Sequence, residues 1–260
     1  MKFNPKKSLG QNFLTDKNIL KKIVDVGNIS EKDKILEIGP GTGNLTTYII
    51  ESEPKHIIVV EKDIELIKIL EKKFKKEIQI VHEDVLKLTK DFYYDKFIVY
   101  GNLPYNISTK ILSNWCLNKE IKFKKLILMF QKEVADRIIA NTNTKNYGRL
   151  AIISQWCMNI QKLKNVKPKS FYPIPKVEST LLSFEPKKNY FMLNNAKNLE
   201  HVTNIFFNLK RKMIKKPISI LFDDVDKISK RLNLNLNERP QNLSPNTFYK
   251  ICCEYEKLLS

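Results

Sequence analysis

Lys34-Ile-Leu-Glu-Ile-Gly-Pro-Gly-Thr-Gly43 is the stretch on which the fold turns. A short apolar strand, residues 34–38, runs straight into three glycines in the spacing GxGxG. Residues 44–52 then read as a helix. The chain has only seven glycines in 260 residues, so three within five positions mark a backbone that needs positive φ or close approach to a ligand. Strand, glycine loop and helix in this order open an α/β nucleotide-type unit. A dinucleotide site prefers GxGxxG, with its third glycine at position 44. That position is Asn44. The spacing therefore favours S-adenosylmethionine over NAD, because no pyrophosphate needs cradling.

The same pattern continues outward. Residues 57–60 form a second apolar strand, and 64–74 carry apolar residues at helical spacing (64, 67, 70 and 74). Further strands are expected at 78–81, 97–100 and 126–130, with helices at 108–117 and 132–140. Continuous apolar strands alternating with amphipathic helices indicate a parallel sheet covered on both faces. The fold class is α/β, a doubly wound, Rossmann-like sheet. Residues 141–148 are polar and read as a mobile loop. Two more strands are expected at 156–163 and 179–184. Between them, residues 168–175 (PKSFYPIP) hold three prolines that stiffen an extended loop. From 187 onward the pattern is helical. The expected division is a catalytic domain, 1–186, and a small all-helical domain, 187–260.

Three acids mark the strand ends. Glu37 closes the first strand, and Glu61 closes the second, where a carboxylate can accept from both hydroxyls of a ribose. Asp84 follows the third, where an acceptor can take the exocyclic amine of a cofactor's adenine. A single acid is by default a solvated surface charge. Three at successive strand ends beside a glycine cluster form a binding pattern.

The fourth strand ends in Gly101-Asn-Leu-Pro-Tyr-Asn-Ile-Ser108. This matches the Asn/Asp-x-Pro-Tyr pattern of enzymes that methylate exocyclic amines of bases. The adenine N6 lone pair is conjugated with the ring and is a poor nucleophile. The Asn102 side-chain oxygen and the Leu103 carbonyl can each accept from N6 and draw it toward tetrahedral geometry. Pro104 stiffens the turn, and Tyr105 offers a ring on which a flipped base stacks. Phe171, in the proline-rich loop, is the candidate for the base's other face.

Composition bounds the partners. Lys and Arg outnumber Asp and Glu by 46 to 28, a formal charge of +18 that favours a polyanion. The apolar runs are far too short for a membrane span, and the basic N-terminus lacks the apolar stretch of a signal peptide. A cytoplasmic location is expected. The four cysteines contain no CxxC pair and the three histidines are isolated, so no metal site is expected.

The chain resembles the KsgA-type ribosomal RNA adenine N6,N6-dimethyltransferases over nearly its whole length. The segments that carry the resemblance are Lys7-Ser-Leu-Gly-Gln-Asn-Phe-Leu14, Glu37 to Thr46, Val60-Glu-Lys-Asp63, Glu83-Asp-Val85, Gly101 to Ser108, Gln131 to Ala135, Tyr147-Gly-Arg149, Phe171 to Pro175, Lys210-Arg-Lys212 and Arg239-Pro-Gln-Asn-Leu-Ser244. The resemblance implies a class I S-adenosylmethionine-dependent methyltransferase fold. It also implies that Gln11, Asn12 and Leu14 line the cofactor together with Gly39, Glu61, Asp84 and Asn102, and the glycine spacing itself adds Gly41 and Gly43 to the expected cofactor loop. The implied substrate is 16S ribosomal RNA in the immature small subunit (the pre-30S particle), at two adjacent adenosines in a hairpin loop near its 3′ end. A role in ribosome biogenesis follows, and a monomer is expected. Erm-type large-subunit methyltransferases share the catalytic plan, and an assembly factor with secondary methylation is a further alternative.

The RNA grip is expected on residues 204–216, read as one helix. Phe206, Leu209 and Met213 would form its apolar face, and Lys210, Arg211, Lys212, Lys215 and Lys216 would face RNA phosphates.

Overall fold

A computed structural model describes residues 5–6, 10–93, 95–104 and 107–259. Two compact units divide the chain. The first comprises Met1–Ile111, Glu120–Ala135 and Asn159–Pro186, and the second Leu112–Lys119, Asp136–Met158 and Lys187–Ser260.

The first unit is built on a seven-stranded sheet. The chain's elements in order are β1 (Phe13–Leu14), α1 (Lys17–Gly27), β2 (Lys34–Ile38), α2 (Asn44–Ile50), β3 (His56–Glu61), α3 (Ile64–Phe74), β4 (Gln79–His82), β5 (Phe97–Asn102), α4 (Ser108–Leu117), β6 (Phe123–Gln131) and α5 (Lys132–Ile138), with residues 112–117 of α4 and 136–138 of α5 assigned to the second unit. After α6 (Arg149–Cys157) come β7 (Met158–Val166), β8 (Phe171–Tyr172) and β9 (Ser179–Pro186). The sheet order is β4-β3-β2-β5-β6-β9-β7, and β1 pairs with β8 apart from it. Strands β4 through β6 run parallel, and β9 is antiparallel to β6.

The central strands are apolar on both faces because both are covered. Ile35, Leu36, Val59, Ile98 and Val99 are completely buried. Asp16 caps α1 by accepting from the Asn18 and Ile19 amides, and Ile19, Leu20, Ile23 and Val24 form its buried stripe. In α3 the buried stripe is Leu66, Ile67, Leu70 and Phe74, and Ile64 lies 46% exposed.

The expected strand at 156–163 is corrected at its start. Residues through Cys157 are helical, and β7 begins at Met158. Trp156 is buried, and its indole N–H donates to the Phe191 carbonyl at 2.8 Å, so tertiary packing places it in α6.

The second unit includes more than residues 187–260. Tyr147, Ala151, Ile152 and Trp156 share one core with Phe206, Ile218, Phe248 and Ile251. Its later helices are α7 (Ala196–Asn208), α8 (Lys215–Leu221), α9 (Val225–Leu232) and α10 (Pro245–Leu259). The loop at 141–148, expected to be mobile, is fastened instead. The Asn143 amide donates to the Gln241 carbonyl at 3.0 Å, Asn242 Nδ2 to Asn143 Oδ1 at 2.8 Å, and the Tyr147 hydroxyl to the Leu243 carbonyl at 3.0 Å. Thus the Arg239–Ser244 segment has a structural use, which is to hold this loop.

The single helix expected at 204–216 is also corrected. α7 ends at Asn208 and α8 starts at Lys215, so Lys210, Arg211 and Lys212 lie in the turn between them. The Ile214 amide donates to the Glu238 carbonyl and the Lys215 amide to the Leu236 carbonyl, which breaks the helical ladder. Met213, expected on an apolar face, is 55% exposed.

Candidate active site

Strand register assembles the site. Ile38 pairs with Val60 on one side and with Gly101 on the other. Gly39, Glu61 and Asn102 therefore leave three adjacent strands at the same level of the sheet's C-terminal edge. Glu61 pairs in turn with His82, which brings Asp84 to the next strand's exit. The gap between β2 and β5 is where the strand order reverses, the position at which open α/β sheets bind ligands.

A cavity of about 280 Å³ opens at this edge. Gln11, Asn12, Leu14, Gly39, Gly41, Glu61, Asp84, Asn102 and Pro104 all line it. The rest of the wall includes apolar side chains such as Leu20, Ile23, Val60 and Met129, which the sequence reading did not single out. Gly39 has φ +66°, and a Cβ added there would meet nothing within 4 Å. The glycine is set by backbone conformation. Gly43 is corrected as a cavity residue, since it does not line the wall. Its φ of +73° calls for glycine as Gly39's does, and a Cβ there would also stand 2.3 Å from the Phe74 ring of α3.

Glu61 is buried and shapes the loop around itself. Its Oε2 accepts from the Gly41 amide at 3.3 Å, and its Oε1 accepts from the Lys62 and Asp63 amides at 2.9 Å each. Burial pushes its carboxyl up, against the pull of those three amides. Glu37 is fully enclosed, with Thr46 Oγ1 donating to its Oε2 at 2.7 Å. Burial, reinforced by the Glu61 charge, raises its pKa to about 7. Asp84 goes the other way. Lys62 Nζ donates to its Oδ2 at 2.9 Å and the Leu86 amide to its Oδ1 at 3.0 Å, which hold its carboxyl below the usual carboxylate range.

Asn102 is oriented by the N-terminal segment. Its Nδ2 donates to the Asn12 carbonyl at 2.7 Å. A carbonyl only accepts, so the amide must turn its nitrogen that way and Oδ1 faces elsewhere. The Leu103 side chain is buried, and a Cβ on Gly101 would stand 2.9 Å from it. The Pro104 carbonyl accepts from the Ile107 and Ser108 amides at 3.1 Å each, which ties the turn to the start of α4. Tyr105 lies outside the described residues.

Phe171 is corrected as an exposed clamp. Its ring is 2% exposed, in the core with Leu14, Tyr100 and Val166. β8 alternates faces, so burying Phe171 turns Tyr172 outward, where it is 61% exposed. Tyr172 pairs with Phe13, a cavity residue whose ring would contact a Cβ on Gly41 at 2.6 Å. Sequence reasoning also missed Asn44, whose Nδ2 donates to the Leu14 carbonyl at 2.8 Å, and Asp63, which holds Lys6 and Gln11. Asn44 follows the third glycine, a position where a side-chain amide can reach a neighbouring segment.

Lys210, Arg211, Lys212, Lys215 and Lys216 all belong to the second unit, and all but the half-buried Lys210 are exposed. Among the described residues, no group of three or more His, Cys, Asp or Glu side chains could hold a metal ion, and no helix is long and apolar enough to cross a membrane.

Comparison with known proteins bears directly on this site. The chain is 52% identical over 256 residues to the ribosomal RNA small subunit methyltransferase A of Pelagibacter ubique, covering 97% of each chain. It is 41% identical over 254 residues to the protein of that name from Mycoplasma mobile, covering 96% of this chain and 98% of the relative. Among solved structures, a dimethyladenosine transferase from Plasmodium falciparum superposes with a TM-score of 0.82 at 28% identity, covering 94% of this chain and 98% of that one. The 23S rRNA methyltransferase ErmE shares the fold, with a TM-score of 0.70 at 21% identity over 95% of this chain and all of that one. The family model for ribosomal RNA adenine dimethylase matches residues 2–257, and the chain belongs to that family of methyltransferases.

Proposed function

We propose that the chain transfers methyl groups from S-adenosylmethionine to the N6 amines of two adjacent adenosines near the 3′ end of 16S ribosomal RNA, within the immature small subunit. The observation that carries this reading is the Asn102 amide, turned by the Asn12 carbonyl so that Oδ1 remains as an acceptor at the cavity.

The cavity fits the cofactor. Space is open beside Gly39, and a carboxylate has about four acceptor positions, so beyond its three amide bonds Glu61 keeps about one for a ribose hydroxyl. When bound, the cofactor supplies an electrophilic methyl on a sulfonium. Asn102 Oδ1 and the Leu103 carbonyl accept from N6 and free its lone pair for in-line attack. With the cofactor bound, N6 would gain the methyl as the C–S bond breaks, and the displaced N6 proton would leave to water. Orientation supplies much of the rate, so no strong general base is required. Tyr105 stacks one face of the base. Tyr172 replaces Phe171 as the loop aromatic for RNA contact, because it is the exposed ring. The basic residues of the second unit hold phosphates. A monomer acting in the cytoplasm accords with this reading.

Two measurements test it. Mass spectrometry of digested ribosomal RNA, from cells with and without the gene, should lose dimethyladenosine only from the small subunit. Loss from the large subunit instead would favour the Erm-type alternative. Calorimetry with S-adenosylhomocysteine should detect binding, and Glu61→Ala should weaken it by roughly 1–3 kcal/mol. No heat with the wild type would sink the cofactor assignment.

A further inference from the structure

The N-terminal segment is clamped at both ends around Asn12. At the far end, Asn44 Nδ2 holds the Leu14 carbonyl, and β1 pairs with β8. At the near end, everything converges on one carboxylate. Asp63 Oδ1 accepts from Lys6 Nζ at 2.7 Å, and its Oδ2 accepts from Gln11 Nε2 at 2.8 Å. Gln11 Oε1 in turn accepts from the Lys6 amide at 2.6 Å. Asp63 itself is fixed, with its backbone N–H on Glu61 Oε1.

Asp63 also caps α3, its Oδ1 accepting from the Glu65 amide at 3.1 Å. Capping needs one oxygen and leaves the other in water. Here the second oxygen is taken by Gln11, and the residue is only 3% exposed. Burial pushes the carboxyl up, yet the bonds from Lys6 and Gln11 outweigh it and hold the group below its ordinary value. The arrangement therefore exceeds what a cap requires.

We propose that Asp63 is a positioning residue for methyl transfer: by latching Lys6 and Gln11 it sets the Asn12 carbonyl that orients Asn102. Gln11 is one peptide from Asn12, so releasing the latch frees one end of the clamped span. The Asn12 carbonyl then drifts from Asn102 Nδ2, and the amide loses its fixed orientation. Asp63 touches neither cofactor nor base in this account. The inference rests on the reading of the cavity as the S-adenosylmethionine site.

The test separates latch from cap. Asp63→Ser retains a capping oxygen but cannot reach Lys6 or Gln11. Lys6→Met removes the ion pair and leaves the cap untouched, and Lys6 does not line the cavity. Both variants should keep a Tm close to wild type. Hydrogen exchange at residues 10–13 of the ligand-free protein should quicken, by about tenfold for Asp63→Ser, as removal of a charged hydrogen bond predicts. The single-turnover methyl-transfer rate at saturating cofactor should fall by a similar factor. Wild-type exchange and transfer in both variants would overturn the proposal. So would a Tm drop in Asp63→Ser that accounts for its lower activity. Failure of the wild type to bind S-adenosylhomocysteine would instead sink the cofactor reading, and the exchange arm would still judge the latch.

Discussion

Asn102 Nδ2 donates to the backbone carbonyl of Asn12, 90 residues earlier in the chain, at 2.7 Å. The bond joins the end of β5 to a segment that also walls the cavity. The Asn102 side chain is thus held by backbone that lines the same cavity.

This bond makes Asn102→Asp an informative change. A carboxylate has no proton to donate, so it would face the Asn12 carbonyl acceptor to acceptor. Asn102→Asp should lose methyl transfer about as badly as Asn102→Ala, by roughly 10²-fold, the scale of losing one oriented polar group at a reacting centre. Tritiated-methyl transfer to immature small subunits would show it, with circular dichroism as the check on folding. Near-wild-type activity in Asn102→Asp would mean that the Asn12 bond does not orient the amide.

Glu37 predicts a pH dependence of stability. Its pKa rises from an ordinary 4.5 to about 7 in the folded chain, first through burial and then through the Glu61 charge. The folded state therefore binds the proton more tightly than the unfolded one. This contribution is fully present below about 4.5 and is lost as pH rises through about 7. At 1.36 kcal/mol per pKa unit, the loss is on the order of 3 kcal/mol. Glu37→Gln can still accept from the Thr46 hydroxyl and cannot ionise. Urea unfolding at pH 5 and pH 8 should show a smaller decline for the Glu37→Gln variant than for the wild type. Identical declines would remove Glu37 as the source.

The two aromatics of β8 should separate cleanly. Phe171→Ala empties a core position and should cost ~3–5 kcal/mol of stability. Tyr172→Ala removes an exposed ring and should leave Tm unchanged. If Tyr172 stacks on an unpaired base, its removal should weaken RNA binding by roughly 1–3 kcal/mol. Filter binding of a fragment carrying the target hairpin would measure this. Full binding by Tyr172→Ala would end its role as an RNA contact.

What could be read from the sequence was whatever depends on neighbours. The strand, glycine loop and helix over 34–52 are local, and so are the acids at strand ends, because a parallel sheet aligns those ends automatically. Features set by distant partners were not legible. Asp63 looks like any helix cap until Gln11, 52 residues away, is seen on its other oxygen. The break after Asn208 has no glycine or proline to announce it, since it follows from the bonds of Ile214 and Lys215 to the Glu238 and Leu236 carbonyls. Phe171 and Tyr172 are adjacent aromatics in one loop, and only the pairing of β8 with β1 decides which is buried.

That break changes what the basic residues can do. On a helix, Lys210, Arg211 and Lys212 would point about 100° apart around one axis, and no single phosphate strand could meet all three. In the turn, Lys210 Nζ donates to the Lys145 carbonyl at 3.2 Å, while Arg211 and Lys212 are exposed. Arg211 and Lys212 should therefore carry the RNA contact, and Lys210 should serve mainly to hold the turn against the 141–148 loop. Removing one cation from an RNA phosphate lowers the salt slope of binding by about 0.7–0.9 units. Arg211→Glu with Lys212→Glu should weaken binding to immature small subunits and flatten its salt dependence by roughly 1.4–1.8 units. Lys210→Met should change that slope little. Affinity for S-adenosylhomocysteine should stay constant in both, because the cavity is lined entirely by the first unit. A double variant that binds particles like the wild type across a salt titration would reduce the turn to a solvated surface and move the RNA grip elsewhere.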